Sequence, residues 1–278
     1  MFQYPDLLGK VHNPARKEAH MPVDNELYDQ LAWTWWDEHE ILNALRILLN
    51  PGRFGYFVEV LVDRLKIDPK DKQALDVGCG GGLLAEEFAR LGCHVTGIDP
   101  SEPSLAVASA HALQEGLAIE YREGVGESLP FADAYFDIVY CCDVLEHVND
   151  LEAVISEIAR VLKKDGIFFY DTLNRTFMSN LISIKLLQEW KATSVMPPNL
   201  HDWKMFVKPQ ELQAHMEKHG LVYKEIVGLV PATNPLTLIN LLRKRKRGEL
   251  SFREVARRID LVRSKDTSNL YMGYAIKI

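Results

Sequence analysis

The chain has 278 residues, of which 47% are hydrophobic and 26% charged, a composition typical of a globular protein with one large domain or one domain and a subdomain. Its formal net charge of −7 argues against a general nucleic-acid binder, so we expect no nucleic-acid partner. The N-terminus lacks the apolar region of a signal peptide, and no stretch approaches about 18 consecutive apolar residues, so we expect neither a signal peptide nor a transmembrane helix.

Residues 1–72 predict an arm followed by a helical cap. Prolines interrupt residues 1–22, which show no periodicity and are expected to form an extended arm. Apolar residues then recur at helical spacing. This spacing predicts two amphipathic helices before Pro51, a turn at 49–53 and a further helix at 54–65.

Three tryptophans lie close together in the predicted cap, at Trp33, Trp35 and Trp36. Three large rings on a short helix spread around its circumference and cannot all face one core. We therefore expect either that a second layer covers them or that they line a pocket.

A glycine-rich turn at 78–82 separates a short apolar run at 73–77 from a helical pattern at 83–91. A strand, a tight turn and a helix start bring backbone N–H groups close to a bound ligand. The next apolar run ends at Asp99, and an acidic residue at the end of a second strand suits the hydroxyls of a ribose. The turn lacks the third glycine of the dinucleotide fingerprint because Leu83 stands there, which weakens the case for a nicotinamide or flavin dinucleotide. A glycine turn without any ligand is the plain alternative.

Strands and helices alternate between residues 73 and 174. Beyond Asp99 the pattern predicts a helix at 102–115, a strand at 118–122, a loop at 125–131, a strand at 136–141, a helix at 150–163 and a strand at 166–172. This alternation predicts a parallel sheet with helices on both faces, which binds ligands at the carboxyl ends of its strands. Gly78, Asp99, Asp143 and Asn174 all lie at such ends.

Asp143, Glu146 and His147 follow the fourth predicted strand at a spacing that places them on one face of a helical turn. Two carboxylates and an imidazole can bind a divalent cation. They can also act as acid–base partners, with His147 held by a carboxylate. The alternative is a capping aspartate beside a histidine that only packs.

The last third of the chain contains segments that suit contact with a ligand or a surface. Residues 175–205 hold a helix that is apolar over a wide arc, which predicts packing on the sheet edge, a lid over the substrate or contact with a membrane surface. The elements expected after it are a helix that begins at 208–212, a strand at 221–229, an apolar segment at 234–242, a basic run at 243–247, a charged helix at 251–263 and a final edge strand at 271–278.

Several motifs of this chain occur together in one enzyme family. They are Leu-Asp-Val-Gly-Cys-Gly-Gly-Gly at 75–82, Trp-Trp-Asp at 35–37, Leu-Asn-Pro-Gly-Arg at 49–53, Val-Leu-Glu-His-Val at 144–148, Asp-Thr-Leu-Asn-Arg-Thr at 171–176 and the His-Asp-Trp segment at 201–212. Over about residues 25–230 the chain resembles the ubiquinone-biosynthesis O-methyltransferases, which are class I S-adenosylmethionine (AdoMet) methyltransferases. The resemblance implies an α/β fold, a Rossmann-like, doubly wound and mostly parallel sheet within 73–278. An N-terminal helical cap would lie within 1–72. The C-terminal part departs from the family pattern, which has fewer residues before the last strand, so we expect an insertion at 234–265.

The resemblance also implies the roles of single residues. The expected AdoMet-binding residues are Arg53, Asp76, Gly78, Gly80, Asp99 and Cys142. By its chemistry alone, Arg53 is either a solvated charge or a partner for a ligand carboxylate. Asp143, Glu146 and His147 match the family's metal-binding motif and are the expected catalytic residues and ligands of a divalent cation such as Mg²⁺. Asp143 departs from the family's glutamate, and its shorter side chain changes the reach by roughly 1.5 Å, about one carbon–carbon bond.

The implied activity is methylation of a hydroxyl on a catechol-like or polyprenylated ring, as in ubiquinone biosynthesis. The expected partner is a small aromatic hydroxyl compound, and membrane contact through 175–190 and 236–247 would suit a lipid-like acceptor. The cysteines include no Cys-x-x-Cys pair, so we expect reduced thiols and a cytoplasmic protein, peripheral at a membrane surface. The open alternatives are another hydroxylated small molecule and a non-catalytic AdoMet-binding protein.

Overall fold

One mixed sheet of eight strands runs through residues 25–278, which are the residues that the computed structural model describes. The strands are β1 (Gln73–Val77), β2 (His94–Asp99), β3 (Ile119–Glu123), β4 (Phe136–Cys142), β5 (Leu162–Leu173), β6 (Leu221–Pro231), β7 (Leu261–Ser264) and β8 (Leu270–Lys277). Their order across the sheet is β3-β2-β1-β4-β5-β8-β6-β7. The expected arm at 1–22 lies outside the described residues.

Strands β1 to β5 form the parallel half of the sheet. Strand β1 pairs with β2 on one side and with β4 on the other, and β3 and β5 extend the two sides. The chain reverses its direction of travel across the sheet between β1 and β4, which opens a crevice at the carboxyl ends of these two strands. The predicted α/β, Rossmann-like, doubly wound sheet is confirmed.

The last strand lies inside the sheet, so the prediction of a final edge strand at 271–278 is wrong. Strand β8 runs antiparallel between β5 and β6, and residues 270–275 are buried. Its sequence is apolar on both faces, as is typical of an interior strand. Gly273 leaves no space for a side chain, because an added Cβ would lie 2.3 Å from the backbone oxygen of Glu225. The short strand β7 forms this edge of the sheet instead.

Helices cover both faces of the sheet. Those that precede or join the parallel strands are Asn25–Leu31, a long helix at 41–64, Leu83–Arg90, Glu102–Gln114 and Leu151–Val161. Those that follow are the lid helix (Phe177–Ser179, continued by Asn180–Glu189), Pro209–Lys218, Pro235–Lys246 and Phe252–Ala256. Within residues 25–278, none of them combines the length and the apolar character needed to cross a bilayer.

The long helix at 41–64 passes through Pro51 without a break, so the predicted turn at 49–53 is wrong. The segment Leu45–Leu49 is π-helical, and Pro51 lies at the start of the α-helical segment Asn50–Val58. The residue before the proline donates its N–H to a carbonyl five residues back. A wider turn at this point accommodates the proline ring and its missing N–H.

Two further boundaries differ from the sequence prediction. The helix expected at 150–163 ends at Val161, because Leu162 already belongs to β5. The charged helix expected at 251–263 forms only over Phe252–Ala256, and its last residues pair with β6 as part of β7. In both places pairing with a distant strand overrides the local helical pattern.

Separate apolar cores lie on the two faces of the sheet, because side chains alternate along each strand. On one face Tyr140 of β4 stacks on Phe88, with 4.1 Å between the ring centroids. On the other face Val139 packs with Ile158. Full burial of such a side chain contributes about 1.5–3 kcal/mol, so these layers hold the strand ends of the crevice in place.

The segment between β6 and β7 forms the expected insertion. It packs against the long helix through an apolar cluster that includes Leu48, Leu241 and Val255. An ion pair of 2.5 Å between Arg263 and Glu59 ties β7 to the same helix. The insertion is therefore fixed onto the N-terminal cap, while the division of the chain into domains at residue 72 stays a prediction.

Candidate active site

The glycine turn after β1 has a backbone conformation that glycine adopts without strain. Gly78, Gly80 and Gly82 have φ angles of +76°, +49° and +80°. A Cβ on Gly78 would lie 2.3 Å from Val144, and one on Gly80 would lie 2.4 Å from Trp35. The turn therefore presents backbone rather than side chains to the crevice, at the N-terminal end of the following helix.

Asp99 ends β2 beside this turn. Its Oδ2 accepts a hydrogen bond of 2.8 Å from the N–H of Gly80, and its Oδ1 accepts one of 2.9 Å from the N–H of Ser101. Burial raises the pKa of Asp99 to about 6, while the two hydrogen bonds favour the charged form. The carboxyl group is thus mostly ionised at neutral pH and held at a fixed place in the crevice.

The N-terminal cap packs directly on the glycine turn. Trp35 is 8% exposed and lies against Gly81, whereas Trp33 is 63% exposed. Trp36 donates its indole N–H to the carbonyl of Gly81 at 2.9 Å and stacks on His111, with 3.4 Å between the ring centroids. Of the two alternatives for the tryptophans, pocket lining applies to Trp35, and Trp36 covers the outer side of the turn.

Arg53 joins the long helix to the ends of β4 and β5. Its Nη1 lies 2.5 Å from Oδ2 of Asp143 and 2.7 Å from Oδ2 of Asp171, and its Nε donates to Asn50 at 2.9 Å. Burial alone would lower the pKa of Arg53, but the two carboxylates raise it well above its ordinary value. Arg53 is therefore a permanent and rigidly held charge in the wall of the crevice.

Asp143 does not join the other two residues of the predicted metal triad. Its φ is +56°, so it lies outside any helical turn, and its carboxylate pairs with Arg53. In residues 25–278 the side chains that converge are Glu146, His147 and His201, whose ligand atoms lie within 4.8 Å of one another. His201 thus takes the place that the helical spacing had assigned to Asp143.

Burial keeps this three-residue cluster largely uncharged. Burial raises the pKa of Glu146 to about 8, and its Oε2 accepts a hydrogen bond of 2.6 Å from Thr172. Burial lowers the pKa of His147 to about 4 and that of His201 to about 3, so both imidazoles are neutral at pH 7. The Nδ1 atom of His201 is buried and has no hydrogen-bond partner among the described residues. The two neutral imidazoles offer lone pairs that suit a cation, whereas burial makes them weak bases.

The short helix Asn25–Leu31 covers the crevice at the carboxyl ends of the strands. The hydroxyl of Tyr28 lies 3.5 Å from Nε2 of His147, and burial raises the pKa of Tyr28. The neighbouring Asp29 accepts a hydrogen bond of 2.6 Å from the hydroxyl of Ser101. One helix thus contacts both the Asp99 end of the crevice and the histidine cluster.

The start of the glycine turn, Asp99, Arg53, Tyr28 and the cluster of Glu146, His147 and His201 line one cavity of about 410 Å³. Its wall includes each of the site residues expected from the sequence: Arg53, Asp76, Gly78, Gly80, Asp99, Cys142, Asp143, Glu146 and His147. The volume lies within the range of about 300–1,000 Å³ that is usual for small-molecule sites. Away from the glycine turn the wall becomes apolar, where the long helix, the lid helix and the insertion meet.

Comparison with known proteins first supports the fold. Residues 75–170 match a family model described as a methyltransferase domain. The crystal structure of a SAM dependent methyltransferase from Aquifex aeolicus has a TM-score of 0.56 to this chain, at 13% sequence identity. The match covers 92% of this chain and 99% of that one. At this identity the likeness shows the fold alone.

Closer relatives show the family. The ubiquinone biosynthesis O-methyltransferase of Marinobacter nauticus is 37% identical over 215 residues, which cover 76% of this chain and 86% of that protein. The protein of the same name from Nitrosomonas europaea is 38% identical over 223 residues, with 80% and 90% covered. This chain belongs to the ubiquinone biosynthesis O-methyltransferase family. It is an AdoMet-dependent methyltransferase that acts on a small molecule.

Three further residues singled out in the sequence, Asp76, Cys142 and Asn174, have defined places in this methyltransferase fold. Asp76 is buried at the end of β1 and Cys142 at the end of β4, and burial raises the pKa of both well above the ordinary values. Asn174 does not line the cavity. Its amide donates to the carbonyl of Thr267 at 2.8 Å and fastens the loop before β8.

Sequence reasoning missed three residues of this O-methyltransferase site. His201 and Asp171 lie in motifs that carried the family resemblance, and their polar side chains in those motifs were the available signal. Tyr28 lies in an ordinary amphipathic pattern that gives no such signal. Its contact with His147 spans 119 positions of the chain and depends on the fold.

Proposed function

We propose that this chain transfers a methyl group from AdoMet to a hydroxyl of a catechol-like ring that carries a polyprenyl chain. The observation that carries the proposal is the cluster of Glu146, His147 and His201 in the same cavity as the glycine turn. The names of the relatives, which place them in ubiquinone biosynthesis, add support for such an acceptor.

The donor side of the cavity consists of the glycine turn, Asp99 and Arg53. The backbone of the turn would approach the amino-acid portion of AdoMet, and the carboxylate of Asp99 would accept hydrogen bonds from its ribose. Arg53 would use Nη2 for the ligand carboxylate, since its contacts within residues 25–278 engage Nε and Nη1. These residues fix the direction in which the methyl group points.

The acceptor side has to align an oxygen with that methyl group and help it lose a proton. A phenolic hydroxyl has a pKa of about 10, so it is mostly protonated at neutral pH. The neutral imidazole of His147 has a lone pair for this proton, although burial lowers its pKa and so makes it a weak base, and Tyr28 lies close enough to orient the imidazole.

The same cluster fits a divalent cation, and we propose Glu146, His147 and His201 as its ligands. Two neutral imidazoles, a carboxyl group and the unpartnered Nδ1 of His201 form a donor set that suits Mn²⁺ or Zn²⁺ better than Mg²⁺, which prefers oxygen ligands. A cation bound there would lower the pKa of a neighbouring hydroxyl. Asp143, paired with Arg53, is left out of this ligand set.

Incubation with AdoMet and a prenylated catechol tests the activity, and the product mass should rise by one methyl group. Glu146→Ala and His147→Ala should abolish turnover while AdoMet affinity, measured by calorimetry, stays nearly unchanged, because both residues lie on the acceptor side. Loss of AdoMet binding in these variants would make the two residues structural. Methylation of other hydroxylated compounds, but of no catechol, would contradict the proposed acceptor.

The cation is tested by its affinity as well as by turnover. His201→Ala should weaken Mn²⁺ binding by at least about 100-fold, since even partners outside a metal's ligand shell contribute about 10–100-fold. His215→Ala is the matched control. His215 lies on the surface helix Pro209–Lys218 and faces Glu152, away from the cluster. Turnover that resists a chelator would exclude a required cation and leave His147 as the base.

We also propose that the protein works at the cytoplasmic surface of a membrane. Phe177 and Trp190 at the ends of the lid helix are 80% and 49% exposed, and Leu236, at the start of the helix whose last turn carries the basic run 243–247, is 77% exposed. Exposed apolar side chains beside basic ones suit an anionic lipid surface. Both segments border the apolar part of the cavity, so a lipid-like acceptor would have a short path from the bilayer.

A further inference from the structure

The cavity has an apolar end, which lies away from the glycine turn. We propose that the insertion at 234–265, with the long helix and the lid helix, forms a tail compartment that binds the first isoprene units of the acceptor inside the protein. This inference rests on the proposed function, because it requires an acceptor that carries a tail.

The tail compartment is continuous with the reaction site. The cavity that contains His147 extends between the long helix, the lid helix and the insertion. Leu48, Leu187, Leu242 and Phe252 represent these three elements in its wall. A ring bound at the histidine cluster would therefore direct a long substituent into this space.

The insertion contributes an entirely apolar wall. Leu238, Leu242, Phe252 and Ala256 line the cavity, and no charged residue of the fully described insertion does so, although it carries the basic run 243–247. Such a wall binds hydrocarbon and offers no hydrogen-bonding partner to a polar substituent. The ligand class it selects is an alkyl or isoprenoid chain.

Three of the wall residues are buried without belonging to the packed interior. Leu242, Phe252 and Ala256 are 4%, 7% and 5% exposed, yet they lie outside the four apolar clusters that fill the described part of the chain. Leu238 and Val255, which also line the cavity, belong to the cluster that fastens the insertion. Burial next to a cavity, rather than within a cluster, is expected of side chains that line a ligand site.

The compartment is also held open by contacts outside its wall. Arg253 pairs with Glu38 of the cap, and Arg263 pairs with Glu59 at 2.5 Å. These ion pairs hold the insertion against the long helix without using the wall residues. A site formed in advance loses less conformational freedom when a flexible tail enters it.

A series of tail lengths tests the proposal in the wild-type protein. Catechols that carry zero, one, two or three isoprene units are methylated in buffer without lipid or detergent, so that a membrane makes no contribution. We expect kcat/KM to rise by at least about tenfold from the tail-less to the two-unit acceptor, because single methylene groups in apolar pockets already change it by such factors.

Variants of the wall then locate the tail. Ala256→Phe should remove the gain from the tail, so that in this variant kcat/KM for the two-unit acceptor falls to the value for the tail-less catechol. Ala232→Phe is the matched control. It lies at an exposed position between β6 and the insertion and should keep the gain. Leu238→Trp narrows the compartment from a partly exposed position and should also remove the gain from the tail. It replaces Ala256→Phe as the test if that variant does not fold.

Equal kcat/KM for all tail lengths in the wild type would overturn the compartment and leave the proposed function standing. A tail preference that survives in both folded wall variants would place the tail elsewhere and also overturn it. If no catechol of any length gains a methyl group, the proposed function itself fails, and the tail compartment fails with it.

Discussion

Single residues of this site depend on charges that are buried together with their partners. Arg53 and Asp171 have side chains that are 4% and 1% exposed, and their pairing offsets a desolvation cost that neither would bear alone. Asp143 completes the group from a partly exposed position. The charge of Arg53 therefore has a structural role in addition to the ligand-binding role proposed for it.

Replacement of Arg53 should reveal this structural role. Arg53→Met leaves two carboxylates without a partner and should lower the free energy of unfolding by about 3–5 kcal/mol. Urea denaturation measures the change. Arg64→Met on the same helix is the control, since Arg64 is 38% exposed in its ion pairs and should cost less than about 1 kcal/mol. Equal losses in the two variants would contradict a special role for the buried group.

The pKa of Asp99 predicts a pH dependence of AdoMet binding. Because burial raises this pKa to about 6, the carboxylate is present at pH 7.5 and is lost as the pH falls through 6. We expect AdoMet affinity to fall about tenfold between about pH 7.5 and about pH 5, since hydrogen bonds to a charged acceptor are stronger by about 1–1.5 kcal/mol. In calorimetry, Asp99→Asn should bind weakly and without this slope. A wild-type affinity that stays constant over this range would place the ribose elsewhere.

At the scale of elements, the cap packs directly against the glycine turn. The side chain of Trp35 occupies the space in which a Cβ of Gly80 or Gly81 would lie. The turn and the cap are therefore one unit, although 45 positions separate Trp36 from the carbonyl it contacts. A side chain in the turn would disturb both the cap and the ligand.

Gly80→Ala tests whether a side chain in the turn disturbs ligand binding, and a glycine elsewhere serves as the control. The left-handed conformation costs an L-residue about 1–2 kcal/mol, and the Cβ would also displace Trp35, so we expect AdoMet affinity to fall at least about tenfold. Gly55→Ala is the control, because Gly55 lies in a helix with nothing within 4 Å of the added Cβ. The control should stabilise the protein by about 1 kcal/mol without change in affinity. Normal AdoMet binding by Gly80→Ala would show that the turn does not approach the ligand.

At the scale of the whole molecule, three separate parts of the chain close one cavity. The cap precedes β1, whereas the lid helix and the insertion follow β5. The parallel strands contribute the residues at their carboxyl ends, which lie between these three parts. The exposed apolar and basic residues of the lid helix and the insertion lie around the apolar side of this cavity. These residues are the basis of the proposed membrane contact.

Vesicle binding tests this orientation. The protein should sediment with vesicles that contain anionic lipid and less so at high salt, since each basic residue near such a surface contributes about 1 kcal/mol. Phe177→Ser combined with Trp190→Ser should reduce the bound fraction. Leu113→Ser is the control, because Leu113 is 81% exposed on a helix remote from the lid. Equal loss in the control, or no binding by the wild type, would contradict the proposed surface.

The sequence by itself determined the parallel half of the sheet and the donor side of the cavity. Short apolar runs, a glycine-rich turn and an acid at a strand end are local patterns, so Gly78, Gly80 and Asp99 could be found without a fold. Only the tertiary structure decided that Asp143 pairs with Arg53, 90 positions away, and that His201 joins Glu146 and His147. It likewise placed β8 inside the sheet and the insertion over the cavity. The physical reason is that these contacts join residues far apart in the chain, and the packing of whole elements, rather than any local periodicity, brings them together.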